Sequence, residues 1–376
     1  MASMFFYGTL CDMDMLEIVL GRSRDTIDVV DAQLADHAVY WAVGQNYPVI
    51  VPQTGSVARG IYVTDLSVRD VSRLDYYESG FVYEPQDVVI KTKLGERTVS
   101  VYACTDMNYV SDRVWDLTDW QDRYGIMMRA AGAELMEHFG YKTADEIDPK
   151  YPMIEARAYS LQLAQQATDT SVEQGAGDRV IEVISKTPAY TNFFAVKDYQ
   201  ISHRKFNGEM SPVLERAVFV GTDASLVLPY DPVLDTVLLI EQFRMGPFGR
   251  GDQNPWLYEP IAGMVDQGET PEQTAHREAM EEAGLSLTKL IPMYNGYPSP
   301  GGSSNYFYQF LGLCDLSAFR QNTQSHGHAD EGEDIRPVSV SFDWAFDFVM
   351  SGKCRVVPLT AAILWLDHYR RIGTTD

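Results

Sequence analysis

Apolar and polar residues alternate with a period of two along much of the first third of the chain, which is the pattern of β-strands with one buried face. These strand patterns lie at residues 4–10, 38–41, 47–51, 58–63, 83–92 and 97–103. A short helical pattern at residues 67–76 lies among them. The order predicts a small mixed barrel or sheet with one packed helix.

The period then becomes helical, with apolar residues spaced for one buried stripe between residues 111 and 140. Pro152 opens a second helix that reaches about Gln166. Residues 167–178, ATDTSVEQGAGD, are small and polar, as expected of a linker. We therefore predict a domain at 1–107, a helical extension and linker at 108–178, and a second domain at 179–376.

Beyond the linker, strand patterns return and two helical patterns close the chain. The strands are predicted at 179–186, 193–206, 213–220, 226–228, 236–243, 290–294 and 306–311, and the helices at 342–350 and 359–371. A mixed sheet enclosed by helices follows from this order. The predicted fold class is α+β or α/β, with a small mixed β-barrel with helices first and an α/β/α sandwich second.

One stretch of the second domain, GMVDQGETPEQTAHREAMEEAGL at residues 263–285, carries strong helix signals. Thr270 and Pro271 supply a side-chain cap and a proline at the first helical position, and Gln273 completes the spacing of a capping box. Gly284 stands where a left-handed residue ends a helix. These signals predict a helix over residues 271–283.

Three carboxylates share one face of this predicted helix, since Glu278, Glu281 and Glu282 lie three and four positions apart. Such a cluster repels itself unless a cation lies between its members, and its hard oxygen atoms suit Mg²⁺ or Mn²⁺. The alternative is a solvated acidic face. Arg277 is placed to reach either Glu281 at the next turn or Glu269 in the preceding loop.

The full spacing resembles the Nudix hydrolases: Gly263, five residues, Glu269, seven residues, then REAMEEAGL from Arg277. The segments EQFR at 241–244, WLYEPIAG at 256–263, SPGG at 299–302 and ADEGEDI at 329–335 resemble bacterial ADP-ribose pyrophosphatases over residues 179–376. The resemblance implies hydrolysis of ADP-ribose to AMP and ribose 5-phosphate. It also favours Glu269 over Glu281 as the partner of Arg277.

The resemblance assigns roles to individual residues of the second domain. Metal ligands would be the carbonyl of Ala262 and the carboxylates of Glu278, Glu282 and Glu333, with Glu281 beside them as a further catalytic carboxylate. Phosphate contacts would come from Arg216 and Arg244, an adenine contact from Phe194, and the general base would be Glu331. Without the resemblance, Glu331 and Glu333 would be assigned to a solvated loop, and Phe194 equally to the core. Asn305 departs from the pattern, because relatives usually carry Glu there.

The resemblance further implies a homodimer with Trp256 as an interface aromatic. Two other readings of the second domain stay open. One is hydrolysis of another nucleoside diphosphate sugar or of a dinucleotide, with the difference residing in the loop around residues 297–302. The other is a sensor or scaffold that binds ADP-ribose without turnover.

The first domain carries two further motifs, FFYGTL at 5–10 and LDYYESGFVY at 74–83. They resemble the gamma-glutamylcyclotransferase-like, or AIG2-like, domains. In that family the loop matching Tyr7, Gly8, Thr9 and Leu10 holds the glutamyl carboxylate of the substrate, and the carboxylate matching Glu78 is the acid and base. Glu84 departs from the family, which often has Arg. The alternative is a degenerate domain kept for assembly or regulation.

The composition of the chain limits the kinds of partner that we expect. The formal net charge of −23, without a run of Lys or Arg, argues against general nucleic-acid binding. Four widely spaced cysteines are expected to be reduced thiols. We expect no membrane span, and we expect a cytoplasmic protein with a small-molecule substrate. Fusions of this type resemble proteins associated with tellurite resistance.

Overall fold

The computed structural model describes residues 2–79, 83–104, 106–167, 179–317, 319 and 334–372. The chain divides into two compact units, residues 1–174 and 175–376. The three segments predicted from sequence stay a prediction. Within the described residues, no helix has both the length and the apolar character needed to cross a membrane.

The first unit is a closed barrel. Its strands are β1 (Ala2–Phe6), β2 (Val29–Ala42), β3 (Pro48–Leu66), β4 (Tyr83–Thr92), β5 (Gly95–Cys104) and β6 (Val110–Val114). The order β3-β1-β5-β4-β2 closes because β2 also pairs with β3, while β6 extends the sheet from β2. Strands β1 and β5 run parallel, and the other neighbours run antiparallel. This confirms the predicted small mixed barrel.

Helices cover the barrel of the first unit. They are α1 (Met13–Leu20), α2 (Val68–Glu78), α3 (Leu117–Met136), α4 (Ala144–Ile147) and α5 (Tyr151–Gln166). Their apolar faces pack with the barrel into one core that contains Leu16, Leu74, Trp120 and Ile154.

One predicted strand and one predicted helix of this unit have different bounds in the structure. The strand expected at 4–10 stops at Phe6, because residues Thr9–Cys11 form a 3₁₀ turn and the Asp12 side chain then caps α1 by accepting from the Met15 amide. The helix expected from residue 111 begins only at Leu117. Residues Val110–Val114 pair with β2 instead, and Asp116 supplies the cap.

The second unit contains a three-stranded antiparallel sheet and a larger mixed sheet. The smaller sheet has β7 (Ile181–Thr191), β8 (Ala195–His203) and β9 (Leu214–Val220). The larger has β10 (Ala224–Asp231), β11 (Thr236–Phe243), β12 (Trp256–Glu259), β13 (Ile261–Met264), β14 (Lys289–Gly296), β15 (Phe307–Leu313) and β16 (Arg336–Ser341). In the larger sheet β10 lies parallel to β15, and its other described pairings are antiparallel.

Helices lie on both faces of the larger sheet. They are α7 (Pro271–Ala283), α8 (Phe342–Met350) and α9 (Val357–Ile372); the short helix α6 (Met245–Arg250) follows β11 in the chain. Leu238 and Ile240 of β11 face α7, whereas Val237 and Leu239 face α8 and α9, because successive side chains of a strand point to opposite faces. The predicted α/β/α sandwich is therefore confirmed.

Helix α7 has the predicted bounds. The Thr270 side chain accepts from the Gln273 amide at 3.3 Å, and the Gln273 side chain accepts from the Thr270 amide at 2.7 Å. Gly284 ends the helix with φ of 60°. All four cysteines are free thiols, as expected.

Candidate functional site

Two of the predicted metal ligands of the second unit lie against the same two consecutive residues of β13, Ala262 and Gly263. The amide of Ala262 donates to Oε2 of Glu282 at 3.2 Å, and Glu282 is only 3% exposed. A Cβ on Gly263 would lie 1.7 Å from Oε1 of Glu278. Helix α7 therefore lays both carboxylates against the Ala262–Gly263 backbone, and the close approach requires glycine.

Arg277 holds the acidic face of α7 together. Its Nε donates to Glu269 Oε1 at 3.0 Å, and its Nη1 donates to Glu278 Oε1 at 2.6 Å and to Glu281 Oε2 at 2.9 Å. Both partners considered from the sequence, Glu269 and Glu281, are thus contacted by the same guanidinium. Burial raises the pKa of Glu269, but hydrogen bonds from Arg277 and Thr274 outweigh it and leave that pKa below its ordinary value.

The carboxylates beside Ala262 and Gly263 form part of a donor set for a divalent cation. In the described ranges, no three His, Cys, Asp or Glu side chains converge closely enough to form a complete metal site. Glu278 and Glu282 nevertheless present carboxylate oxygens at one place, and hard divalent cations prefer such oxygens. This partial donor set fits Mg²⁺ or Mn²⁺. Glu331 and Glu333, the predicted base and fourth ligand, lie outside the described residues.

The two predicted phosphate-binding arginines lie in different settings. Arg244 precedes α6, and its Nε forms an ion pair with Glu259 Oε2 at 2.7 Å. Arg216 is exposed on β9 and lines an open cavity of about 360 Å³, together with residues 300–303 of the loop before β15 and apolar side chains of β7 and β8. A phosphate in this cavity would meet a guanidinium able to bind it through two hydrogen bonds.

Phe194 lies at the surface of the second unit. It is 48% exposed and packs against Phe219 and Phe193, with ring centroids 4.8 and 4.9 Å away. The side chain is therefore available to a planar ligand and is not a core residue. Its adenine contact stays a prediction.

The predicted glutamyl loop and Glu78 of the first unit line one narrow cavity. The other residues of its wall are Phe5, Phe6, Tyr47, Pro48, Tyr83 and Tyr102. Tyr7 donates its hydroxyl to the carbonyl of Tyr102 at 2.8 Å, and a Cβ on Gly8 would lie 2.5 Å from Cγ of Pro48. The loop is thus fitted closely against residues that are remote in sequence.

Burial changes the acidity of the groups in this cavity. It raises the pKa of Glu78 from 4.5 to about 8. It also raises the pKa of Tyr7 well above its ordinary value, with a smaller contribution from the Glu78 charge. A carboxyl that holds its proton near neutral pH is able to give up and regain that proton during a reaction, as a general acid and base must.

Sequence reasoning missed several residues of both sites. In the first unit these are Tyr47, Pro48 and Tyr102, which belong to separate strands or their connections, whereas Tyr83 ends the motif at 74–83. In the second unit they are the partners of Asn305, whose amide contacts Thr222 and Ser303. Tyr47, Pro48, Tyr102, Thr222 and Ser303 lie outside the motifs described above, so only the packing of distant segments brings them to the two sites.

Comparisons with known proteins agree with this geometry. Residues 4–122 match the family described as gamma-glutamyl cyclotransferase, AIG2-like, and residues 222–349 match the NUDIX domain. An ADP-ribose pyrophosphatase of Escherichia coli is 39% identical over 195 residues, which cover 52% of this chain and 91% of that protein. The Haemophilus influenzae ADP-ribose pyrophosphatase is 36% identical over 188 residues, covering 50% of this chain and 85% of the relative.

A further relative is named for a different substrate. The GDP-mannose pyrophosphatase of Salmonella paratyphi B is 30% identical over 164 residues, which cover 44% of this chain and 83% of that protein. All three alignments are far longer than the helix motif alone, and each spans most of the relative. The chain therefore belongs to the Nudix hydrolase family and carries an AIG2-like domain ahead of its Nudix domain.

Proposed function

We propose that the second unit hydrolyses the pyrophosphate bond of ADP-ribose, giving AMP and ribose 5-phosphate. The observation that carries the proposal is the convergence of Glu278 and Glu282 on the Ala262–Gly263 backbone. The chain is 39% identical to an ADP-ribose pyrophosphatase over 195 residues and 30% identical to a GDP-mannose pyrophosphatase over 164 residues. The higher identity supports ADP-ribose as the substrate.

We propose that Ala262, Glu278, Glu282 and Glu333 hold a divalent cation, Mg²⁺ or alternatively Mn²⁺. The cation supplies neutralisation of the negative charge on the diphosphate. Arg277 has a different task. Its hydrogen bonds to Glu278 and Glu281 reduce their mutual repulsion and keep the carboxylates in place before substrate arrives.

The remaining steps belong to the side chains. Arg216 and Arg244 bind the phosphate oxygens and offset their charge. Glu331 takes a proton from a water molecule while the oxygen of that water forms a bond to phosphorus. The bond from the same phosphorus to the bridging oxygen breaks. The negative charge leaves on that oxygen, so AMP and ribose 5-phosphate account for every atom of ADP-ribose and water.

A product assay tests this function. Wild-type protein, Glu282→Gln and Glu272→Gln are each incubated with ADP-ribose and Mg²⁺, and AMP is measured by chromatography. Glu272 is the matched control, because it is exposed on the same helix. AMP formation should fall about 100-fold or more in Glu282→Gln, since a charge at the reacting centre is lost, and stay unchanged in Glu272→Gln.

The same assay separates the alternatives. Faster hydrolysis of GDP-mannose or of a dinucleotide than of ADP-ribose would replace the substrate and keep the reaction class. Measurable ADP-ribose binding with no turnover of any of these compounds would favour the sensor or scaffold.

A second function is proposed for the first unit, favoured by the raised pKa of Glu78 in the cavity of Tyr7 to Leu10. The substrate would be a gamma-glutamyl amine. In its ionised form Glu78 takes a proton from the α-amino nitrogen of the substrate as that nitrogen bonds to the γ-carbonyl carbon. Glu78 then returns the proton to the departing nitrogen as the bond from the γ-carbon to that nitrogen breaks, and 5-oxoproline and a free amine result.

Release of 5-oxoproline from gamma-glutamyl amines tests this second function. Glu78→Gln should abolish release and leave hydrolysis of ADP-ribose unchanged. Absence of 5-oxoproline from wild-type protein across such a panel would favour a degenerate domain.

We also propose a homodimer formed through the second unit. Apolar side chains are exposed on and near its three-stranded sheet, with Ile181 at 68% and Val183 at 59%, and Trp256 is 53% exposed. Sedimentation should give a dimer for wild type and a monomer for Ile181→Glu with Val183→Glu. Val233→Glu is the control, because Val233 is 90% exposed in the turn between β10 and β11. The cytoplasmic location and the link to tellurite resistance stay predictions.

A further inference from the structure

The loop at residues 299–304, which we call the 299–304 loop, is joined to the end of β9 by backbone pairing. The amide of Phe219 donates to the carbonyl of Gly302 at 2.9 Å, and the amide of Ser304 donates to the carbonyl of Phe219 at 3.0 Å. The backbone amide of Gly221 also donates a hydrogen bond to the Ser304 hydroxyl at 3.1 Å. These bonds set residues 300–303 beside Arg216 in the wall of the cavity of about 360 Å³.

Asn305 closes this arrangement through both ends of its amide. Its Nδ2 donates to the carbonyl of Thr222 at 3.0 Å, while its Oδ1 accepts from the hydroxyl of Ser303 at 2.5 Å. The amide carries its donor and its acceptor on two separate atoms, so one side chain meets both partners. A carboxylate would set negative charge against the Thr222 carbonyl and leave that carbonyl without its donor.

Gly221 makes room for this amide. A Cβ on Gly221 would lie 2.2 Å from Nδ2 and 2.5 Å from Oδ1 of Asn305. Gly221 is not among the glycines with positive φ, so its backbone conformation alone would accept alanine. The two residues therefore depend on each other, although 84 positions separate them along the chain.

We propose that Asn305 is a positioning residue that fixes the 299–304 loop beside Arg216, and that this position supplies no carboxylate to the divalent cation. The inference rests on the proposed hydrolysis of ADP-ribose. The amide sets the width of the cavity between Arg216 and the loop. It therefore governs how well substrate is held, while the reacting groups on α7 remain unchanged.

Kinetics distinguish positioning from a direct catalytic role. In Asn305→Ala, KM for ADP-ribose should rise about tenfold, which corresponds to about 1.4 kcal/mol, with kcat within about twofold of wild type. Asn305→Asp should behave in the same way or worse, because it repels the Thr222 carbonyl. A fall in kcat together with a higher Mg²⁺ requirement, at constant KM, would overturn the proposal by making Asn305 part of the cation site.

A double-variant cycle tests the dependence on Gly221. Gly221→Ala should raise KM as Asn305→Ala does, because the new Cβ expels the amide. In the Asn305→Ala background, Gly221→Ala should add little further change. Gly296→Ala is the control, since a Cβ there meets nothing within 4 Å. Full additivity of the two single variants would overturn the proposed coupling.

Hydrogen exchange separates failure of this inference from failure of the proposed function. Without substrate, the amides of Phe219 and Ser304 should exchange faster in Asn305→Ala than in wild type, because the bonds of the loop open more often. Unchanged exchange would overturn the positioning role, whatever the substrate. Faster exchange in a protein that fails to hydrolyse ADP-ribose would retain the loop contact and reject the function.

Discussion

The carboxylate of Glu278 lies so close to Gly263 that a Cβ on the glycine would come within 1.7 Å of Oε1. Gly263 and Glu278, the first and the sixteenth residues of the stretch at 263–285, are thus in direct contact, although a loop and two turns of helix lie between them. Glycine at 263 is a requirement of the carboxylate, not of the backbone, because Gly263 is not among the residues with positive φ.

This contact predicts the effect of Gly263→Ala. The added methyl group displaces Glu278 from the Ala262–Gly263 backbone, so hydrolysis of ADP-ribose should fall about 10- to 100-fold, as for other changes that disturb the support of a metal ligand. The Mg²⁺ concentration for half-maximal rate should rise as well. Gly249→Ala, where a Cβ meets nothing within 4 Å, is the control. Equal activity of both variants would contradict the assigned place of Glu278.

Arg277→Lys tests the guanidinium that bridges the acidic face. Lysine carries the charge but lacks the planar fork, so it cannot bond to Glu269, Glu278 and Glu281 together. We expect kcat/KM to fall about 10- to 100-fold, measured with ADP-ribose. The control is Arg250→Lys, since the Arg250 side chain is 79% exposed. Wild-type activity in Arg277→Lys would show that charge alone is sufficient.

The raised pKa of Glu78 predicts a dependence of stability on pH. Between pH 4.5 and about 8 the folded first unit keeps a proton that the unfolded chain has lost. Its stability should therefore fall as pH rises through this window. The temperature of its thermal transition, followed by calorimetry of the full chain, should decrease from pH 5 to 8 in wild type and change less in Glu78→Gln. Parallel profiles would mean that Glu78 has an ordinary pKa.

A buried ion pair joins α3 to α5 in the first unit. Arg157 Nη2 lies 2.6 Å from Glu134 Oε1, and the two residues are only 4% and 6% exposed. Arg157→Met leaves a buried carboxylate without its cation, so the free energy of unfolding should fall by about 3–5 kcal/mol. The thermal transition of the first unit measures this loss.

Adding Glu134→Leu to Arg157→Met should recover much of the stability, because neither charge of this pair is then left buried without the other. The exposed replacement Arg123→Met is the control, since that side chain is 48% exposed. Equal loss in the single and double variants would indicate that packing, not charge, is what the pair contributes.

The sequence by itself determined the elements whose signals are local. Helix α7 has the bounds expected from Thr270, Pro271 and Gly284, because a capping box and a left-handed C-terminal glycine act within a few residues. The motif stretch also determined the acidic face of α7, since helical geometry alone puts Glu278, Glu281 and Glu282 together. The roles of Glu331 and Glu333 stay predictions outside the described residues.

Tertiary structure decided what joins distant segments. The pairing of Asn305 with Gly221 and the fit of Gly8 against Pro48 both depend on neighbours far away in the chain. Burial, which sets the pKa of Glu78, is likewise a property of the folded barrel. Local sequence fixes conformation over a few residues, whereas close contact and desolvation arise only when strands and helices pack together.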